Sequence, residues 1–378
     1  MSLFRFDVTN TFEKSRTGVL KFDNGIHVET PVFMPVGTRG SVKAVSQESL
    51  EEIGFNLILA NTYHLYLRPG TVVLKEFGGI KKFMSWPRLI LTDSGGYQAF
   101  SLSKLTRYSA EGIHFKSHID GSPHFFTPEK VLDIQDIIRS DIVMPLDDCA
   151  PYPADEKRLR QSLERTHQWI GQSLHHWKRM GYDKTRNLFG IIQGGTNLAF
   201  RSESVDFMKD LDLPGYAIGG LSVGEKNDEF RNVLAATAAQ MPEHKPRYLM
   251  GVGSIPEILF AVNHGIDMFD CVLPTRNARN GQVFTSLGKL NLRAEYNKFL
   301  DKPIDENCGC RVCKRYSLGY IRHLHKTQEL LAYELSSFHN LFFMHQLMGQ
   351  IRNSIRNNDL PSLTQDLNAR FTAQVSEF

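Results

Sequence analysis

Tryptophan is scarce in this chain, with three residues in 378, and cysteine nearly so, with five. No apolar run approaches the roughly 20 residues that a bilayer-spanning helix needs. The opening MSLFRFDVTNTFEKS lacks the basic-then-apolar layout of a signal peptide. An odd number of cysteines, three of them clustered, does not read as a disulfide framework. These absences exclude a membrane span, a secretory leader and a disulfide-stapled fold, and make a reducing cytoplasm the simplest setting. Net charge is also small at +3, but it is unevenly placed. Thr275 to Gln328 holds 11 Lys or Arg against 4 Asp or Glu, so this stretch carries +7 and the remainder −4. That asymmetry suggests a polyanion-binding surface, with a merely solvated basic face as the alternative.

What is present is a chain with the composition of a large-cored globular protein, 41% hydrophobic and 22% charged. Eight short apolar runs end in polar or glycine-bearing clusters: Pro35–Val36–Gly37, Asn61–Thr62–Tyr63, Asp93–Ser94–Gly95, Asp147–Asp148–Cys149, Gln193–Gly194–Gly195, Gly219–Gly220–Leu221, Met250–Gly251 and Asp270–Cys271. Helical patterns separate most of them. Alternation of this kind predicts a (β/α)8 TIM barrel with functional groups at the C-terminal ends of the strands. Thr127–Pro128 reads as an N-cap and first-turn pair, and Ser254 with Glu257 as a capping box. The expected organisation is a barrel over 1–280, with a hairpin elaboration at about 97–126. A zinc-binding insert follows over 281–345, between the last strand and the last helix. The remainder of the final helix, predicted over Glu329 to Asn357, and a C-terminal tail occupy 346–378.

Cys308, Cys310 and Cys313 form C-G-C-R-V-C, too tight for mutual disulfides. Thiolates at this density suit zinc, which takes four such ligands in a closed structural site. His339, expected to open the final helix, is the preferred fourth ligand, with His323, His325 and His345 as rivals. Asp93 and Asp270 each end a strand. Two facing carboxylates at a barrel mouth suit attack at an anomeric carbon, one forming a covalent glycosyl intermediate and the other moving protons; helix capping is the plainer reading. Around them Asp147 can accept from adjacent N–H donors, and Gln193 and the Gly220 amide can donate to a carbonyl oxygen. Tyr97 and Met250 can stack on a flat ring. Such a set fits a purine with an amidine-like edge, such as guanine. Arg276 and Arg279 follow at once, placed to grip phosphates or else to pair with surface carboxylates.

The ordered set DSGGYQ, DDCAPYP, GIIQGG, YAIGGLSVGE, RYLMGVG, FDCVLPTRNARNG and CGCRVC resembles the bacterial type of the tRNA-guanine transglycosylase family over nearly the whole chain. The resemblance implies a zinc-containing barrel, with one structural Zn2+ per chain. It implies exchange of guanine at the wobble position of tRNAs with GUN anticodons, those for aspartate, asparagine, histidine and tyrosine. The incoming base would be 7-aminomethyl-7-deazaguanine, the queuosine precursor. It further implies Asp270 as nucleophile and Asp93 as general acid–base. Asp147, Gln193, Gly220 and Leu221 would recognise the base, the Leu221 carbonyl receiving the aminomethyl group, with Tyr97 and Met250 stacking. Cys308, Cys310, Cys313 and His339 match the zinc ligands, and a homodimer is implied.

Asp148 departs from the Glu expected of many relatives, and its shorter carboxylate has scope to shift hydrogen bonding under the base. With Phe378 as its last residue, the chain is expected not to carry the extra C-terminal RNA-binding domains of archaeal enzymes, which argues against the archaeosine pathway. A eukaryotic-type, queuine-inserting enzyme is an alternative that local chemistry does not exclude; Val36 and Val272 are expected to meet the base's 7-substituent and to leave little space for queuine's cyclopentene arm, which favours the smaller precursor. The main rival is a barrel glycoside hydrolase, which predicts sugar-binding tryptophans near the pocket, whereas Trp169 and Trp177 fall within a long predicted helix. A non-catalytic tRNA-binding subunit is a second rival, and it would be expected to lack Asp270.

Overall fold

Short strands rich in Leu, Ile, Val and Phe bury both faces, and that is possible only when each face meets its own apolar layer. The structure, a computed structural model, describes residues 3–102 and 106–372. Eight parallel strands occupy the predicted positions: β1 (Val32–Met34), β2 (Leu57–Ala60), β3 (Leu89–Thr92), β4 (Ile142–Val143), β5 (Asn187–Leu188 and Gly190–Ile192), β6 (Tyr216–Ile218), β7 (Arg247–Leu249) and β8 (Met268–Asp270). Ladders run from β2 through β3 to β4 and β5, then from β5 through β6 and β7 to β8, which pairs with β1. The Phe189 N–H donates to the Val143 carbonyl at 3.1 Å, spanning the interruption in β5. Past the end of β1, the Leu59 N–H donates to Pro35 at 2.9 Å and Val36 bridges Leu59. Every parallel strand therefore has a neighbour on each side in a mixed α/β fold.

Side chains alternate along these strands with period two. Met34, Leu57, Leu59, Leu89, Leu91, Ile142, Phe189, Ile191, Ala217, Tyr248 and Met268 pack together in one inner cluster. Their neighbours Ile58 and Ile90 pack outward with one group of helices, and Phe33, Val143, Ile218, Leu249 and Phe269 with another. Continuing the inner register beyond the apolar layer brings Val36, Asn61, Asp93, Gln193, Gly219, Met250 and Asp270 onto the same face. The site is thus placed by strand periodicity.

The other end of the inner cluster is covered by an antiparallel sheet of Phe4–Phe12, Ser15–Phe22 and His27–Thr30, which contributes Phe4, Leu20, Phe22 and Val28. Sequence analysis had assigned no separate element there, although the alternation Phe4, Phe6, Val8 and the Asn24–Gly25 turn carry the signal. Thr127 caps Pro128–Ile138 as predicted, accepting from the Lys130 N–H at 3.1 Å. Ser254 precedes Ile255–Val262 without a side-chain cap bond, so the expected capping box does not form.

The segment expected as a hairpin is part helix. Gly96–Leu102 is helical, and the antiparallel strands are Arg107–Tyr108, Ile113–Lys116 and Pro123–Phe126. The final long helix runs Leu330–Arg356, so His339 lies in its third turn and does not open it. A further helix, Leu360–Thr372, follows where only a tail was expected; residues 373–378 of that tail lie outside the described residues. Phe338, Phe342 and Phe343 pack into the core. Asn340, in the same helix as His339, donates to the Pro274 carbonyl at 2.9 Å and accepts from the Phe284 N–H at 3.0 Å. One buried amide thereby ties the short helix Leu273–Arg279 and the hairpin Gln282–Thr285/Gly288–Asn291 to the long helix. Among the described residues no helix is long and apolar enough to cross a membrane.

Candidate active site and metal centre

The polar ends of the strands open into a cavity of about 490 Å³. Its lining includes Asp93, Asp147, Asp270, Gln193, Gly220, Leu221, Tyr97, Met250 and Arg276, nine residues chosen from sequence. Val36 and Val272 line it as well.

Asp270 closes β8 and is held from one side. Its Oδ1 accepts from the Tyr248 hydroxyl at 2.5 Å and from the Gly251 N–H at 2.8 Å, so Oδ2 is the oxygen spared by both donors. Burial pushes its pKa above the usual carboxylate range, and those two donors oppose the shift. Asp93 faces a different set. Asn61 Nδ2 donates to Oδ2 at 2.5 Å and the Thr62 N–H to Oδ1 at 2.8 Å, while Thr62 Oγ1 donates to the Asp93 carbonyl at 2.6 Å. Burial raises Asp93 to about 6, with a further upward push from Asp270. Asp93 therefore holds the start of Thr62–Leu65, a helix on another strand's loop. Asp270 makes no cap bond to the helix that follows it, and the helix start that Asp93 holds belongs to another strand's loop. Gly95 makes the approach possible: at φ +78° a Cβ there would lie 2.9 Å from the Tyr63 backbone nitrogen.

On the opposite wall Asp147 accepts from Ser94 Oγ at 3.0 Å and from Gln193 Nε2 at 2.8 Å. Burial lifts Asp147 to about 6 as well, with those two donors opposing. Gly219 and Gly220 lie against Gln193, and a side chain at Gly220 would collide with Gln193 Oε1. The Ser222 and Val223 N–H groups donate to the Glu225 carboxylate. Because a trans peptide points its N–H and C=O in opposite directions, the Leu221 carbonyl is turned away from Glu225.

Cys308, Cys310, Cys313 and His339 present their ligand atoms within 4.8 Å of one another. His339 Nδ1 lies 3.7, 3.6 and 3.4 Å from the three sulfurs in turn. A tetrahedral zinc with ordinary Zn–S and Zn–N bonds places sulfur and nitrogen roughly 3.6 Å apart. The other ring nitrogen, Nε2, sits 2.7 Å from the Phe284 carbonyl, which calls for a proton on Nε2 and leaves Nδ1 as a free donor pair. The donor set fits a closed zinc site. The rival histidines are elsewhere: His325 faces Ser336 Oγ at 2.8 Å, His345 packs on Phe55, and His323 is exposed.

The family profile described as Queuine tRNA-ribosyltransferase matches residues 11–373. The chain belongs to this family. A queuine tRNA-ribosyltransferase of Leptospira biflexa is 55% identical over 354 residues, covering 94% of this chain and 95% of the relative. Those of Caldanaerobacter subterraneus and Desulforapulum autotrophicum are 50% and 48% identical, each covering 96% of this chain. The expected enzyme class, a pentosyltransferase of the tRNA-guanine transglycosylase type, is that of the family.

Within this queuine tRNA-ribosyltransferase scaffold one expectation needs correction. Asp148 does not reach under a base: it is fully buried and pairs with Arg158, at 2.6 Å, and with Arg165 on the helix Glu156–Met180. Its carboxylate locks that helix to the strand end beside Asp147. Arg279 does not line the cavity; its Nη1 donates to the Thr275 carbonyl at 2.9 Å, whereas Arg276 is exposed at the cavity edge. Sequence reasoning gave no role to Tyr248 or Ser94, and none to Asn61 and Thr62 beyond ending a strand. The inward register of β2 and β7 is the signal that selects Asn61 and Tyr248. His64 also lines the cavity, its pKa lowered to about 4 by burial and then by Arg39, so its ring is neutral at pH 7.

A carboxyl with a raised folded pKa contributes stability that is fully present below its unfolded value of 3.8 and is lost as pH rises through about 6. The double variant Asp93→Asn/Asp147→Asn should therefore be more stable than wild type at pH 7, by roughly 3 kcal/mol for each carboxyl replaced and about 6 kcal/mol for the pair, and the gap should close near pH 4. Thermal unfolding at both pH values checks this; an equal gap at each would assign the difference to lost contacts.

Proposed function

We propose that the strands form a closed (β/α)8 barrel whose cavity exchanges guanine at the wobble position of GUN-anticodon tRNAs for 7-aminomethyl-7-deazaguanine, by double displacement. The observation that carries this is the pairing of two differently held carboxylates, Asp270 with one oxygen spared and Asp93 raised to about 6, across from a wall suited to a purine edge. Support for the barrel comes from the Val36–Leu59 bridge, which joins β1 to β2.

In the first displacement Asp270 Oδ2 attacks C1′ of the ribose. The C1′–N9 bond breaks as the ester forms, and Asp93 or a water supplies the proton that N9 takes up. In the second, the incoming base loses its N9 proton and attacks C1′, releasing the Asp270 carboxylate. Two inversions retain configuration, and the RNA stays tethered while bases swap. One glycosidic bond replaces another, so the balance closes without ATP or a redox partner. A carboxyl near pKa 6 both gives and takes a proton at neutral pH, the property an exchange of near-equivalent bases needs.

Asp147 accepts from the base's N–H edge, Gln193 and the Gly220 amide donate to its carbonyl oxygen, and Tyr97 and Met250 flank the ring. Tyr97 is 48% exposed, in keeping with a stacking surface completed by the base. The Leu221 carbonyl, turned away from Glu225, is available to the aminomethyl group. Val36 and Val272 narrow the side where a 7-substituent lies, which favours the small aminomethyl group over queuine. Arg276 grips a phosphate at the rim, with Arg279 one helical turn behind it. Nine of the eleven basic residues between Thr275 and Gln328 are exposed, all but Arg279 and Arg322, which supports an RNA-binding face around the zinc-pinned insert of 281–345. Zinc held by Cys308, Cys310, Cys313 and His339 supplies cross-linking and no reaction step. A homodimer and a cytoplasmic setting complete the reading. The barrel-hydrolase alternative loses its support, because Trp86, Trp169 and Trp177 are buried away from the cavity lining.

Radiolabelled guanine should enter unmodified tRNA for tyrosine, and 7-aminomethyl-7-deazaguanine should block entry where queuine does not. Equal block by queuine would move the enzyme to the eukaryotic type, and no incorporation by folded, zinc-loaded protein would return the carboxylates to the hydrolase reading. Asp270→Ala should leave no covalent RNA adduct on a denaturing gel; a surviving adduct removes Asp270 from its role. Metal analysis should find one zinc per chain, falling to none in Cys310→Ser with a lowered melting temperature. Full zinc content in that variant would overturn the ligand assignment.

A further inference from the structure

Arg201, in the helix Leu198–Asp210, is wholly buried. All the partners its guanidinium finds are backbone carbonyls: Nε donates to Gly195 at 2.8 Å, Nη1 to Ile192 at 2.9 Å and to Gly219 at 2.8 Å, and Nη2 to Gly220 at 3.3 Å. Burial lowers its pKa to about 10, which leaves it charged at neutral pH. Burying a cation against neutral dipoles costs folding free energy that an apolar side chain would not. The loops it holds, after β5 and β6, carry Gln193, Gly219, Gly220 and Leu221 on the cavity wall, and Arg201 itself lies outside the lining.

The peptide geometry gives this burial a purpose. In each trans unit the N–H points opposite to the C=O. With the Gly219 carbonyl drawn back to Arg201, the Gly220 N–H faces the other way. With the Gly220 carbonyl drawn back, so does the Leu221 N–H. A carbonyl bonded to a cation also polarises its peptide, making the attached N–H a stronger donor in a low-dielectric site. We propose that Arg201 is a positioning residue for base recognition, gripping the Gly219 and Gly220 carbonyls from behind so that the Gly220 and Leu221 amides aim at a carbonyl oxygen of the bound base. This rests on the guanine-binding reading of the cavity.

The test compares guanine with 2-aminopurine, which lacks the 6-oxo group, by calorimetric binding to zinc-loaded wild type, Arg201→Lys and Arg201→Met. Lysine keeps the charge but offers a single ammonium to carbonyls spread over two loops. In both variants guanine affinity should fall about tenfold or more, while 2-aminopurine affinity changes less than about twofold. If Arg201→Met does not fold, Arg201→Lys is read alone. Equal weakening of both bases would mean that Arg201 only braces the loops, and unchanged guanine binding would mean that it does neither; each overturns the proposal. Wild type that binds neither base, or both alike, would instead overturn the reading of the cavity, and this inference with it.

Discussion

Everything in the site depends on the period-two alternation of the parallel strands. One register fills an inner apolar layer with residues such as Leu59, Leu91, Ile191 and Met268; the other packs against the helices. The next inward position beyond the apolar layer is Asn61 after β2, Asp93 after β3, Gln193 after β5 and Asp270 at the end of β8. A slip of one residue in any strand would put its polar group among the helices and an aliphatic side chain in the cavity. Packing of the inner layer is therefore what aims the chemistry.

Three carboxylates crowd one cavity, and desolvation raises all of them. Their environments differ in donors rather than in depth. Asp270 receives both donors on a single oxygen, Asp93 receives donors on both of its oxygens and a further side-chain bond from Gln98, and Asp147 accepts from Ser94 and Gln193. Similar burial with different donor placement gives three carboxylates three distinct environments on one scaffold, as the proposed division into nucleophile, proton carrier and recognition group requires. The cost in folding free energy is the ordinary one for a preorganised site.

Around this centre the supporting contacts are themselves buried and polar. Asn340 ties the arginine-bearing helix to the long helix that also carries His339, one residue away. Asp148 with Arg158 and Arg165 fixes the helix and strand end beside Asp147, and Arg201 fixes the loops of Gln193, Gly219 and Gly220 on the same wall. Metal centre and cavity are thus joined through one helix face, so loosening the cysteine loop has a direct mechanical route to Arg276.

The sequence by itself determined the eight strand positions, the strand-end aspartates, the cysteine triad and the family, because apolar runs, glycine turns and ligand spacing are local and survive in one dimension. It also picked out nine residues of the cavity lining, most of them at or just past a strand end. What it left open was decided by contacts between distant segments. His339 was the preferred fourth ligand in the sequence, and its separation from His323, His325 and His345 came with the approach of its ring to the three sulfurs. The destination of Asp148 depended on two arginines a helix away, and the roles of Tyr248, Asn61 and Arg201 arise only where separate loops close on one another. The N-terminal sheet and the C-terminal helix went unassigned because their patterns are brief and their partners lie far along the chain. Local pattern names the elements; which side chains face each other is set by how the strands register and pack.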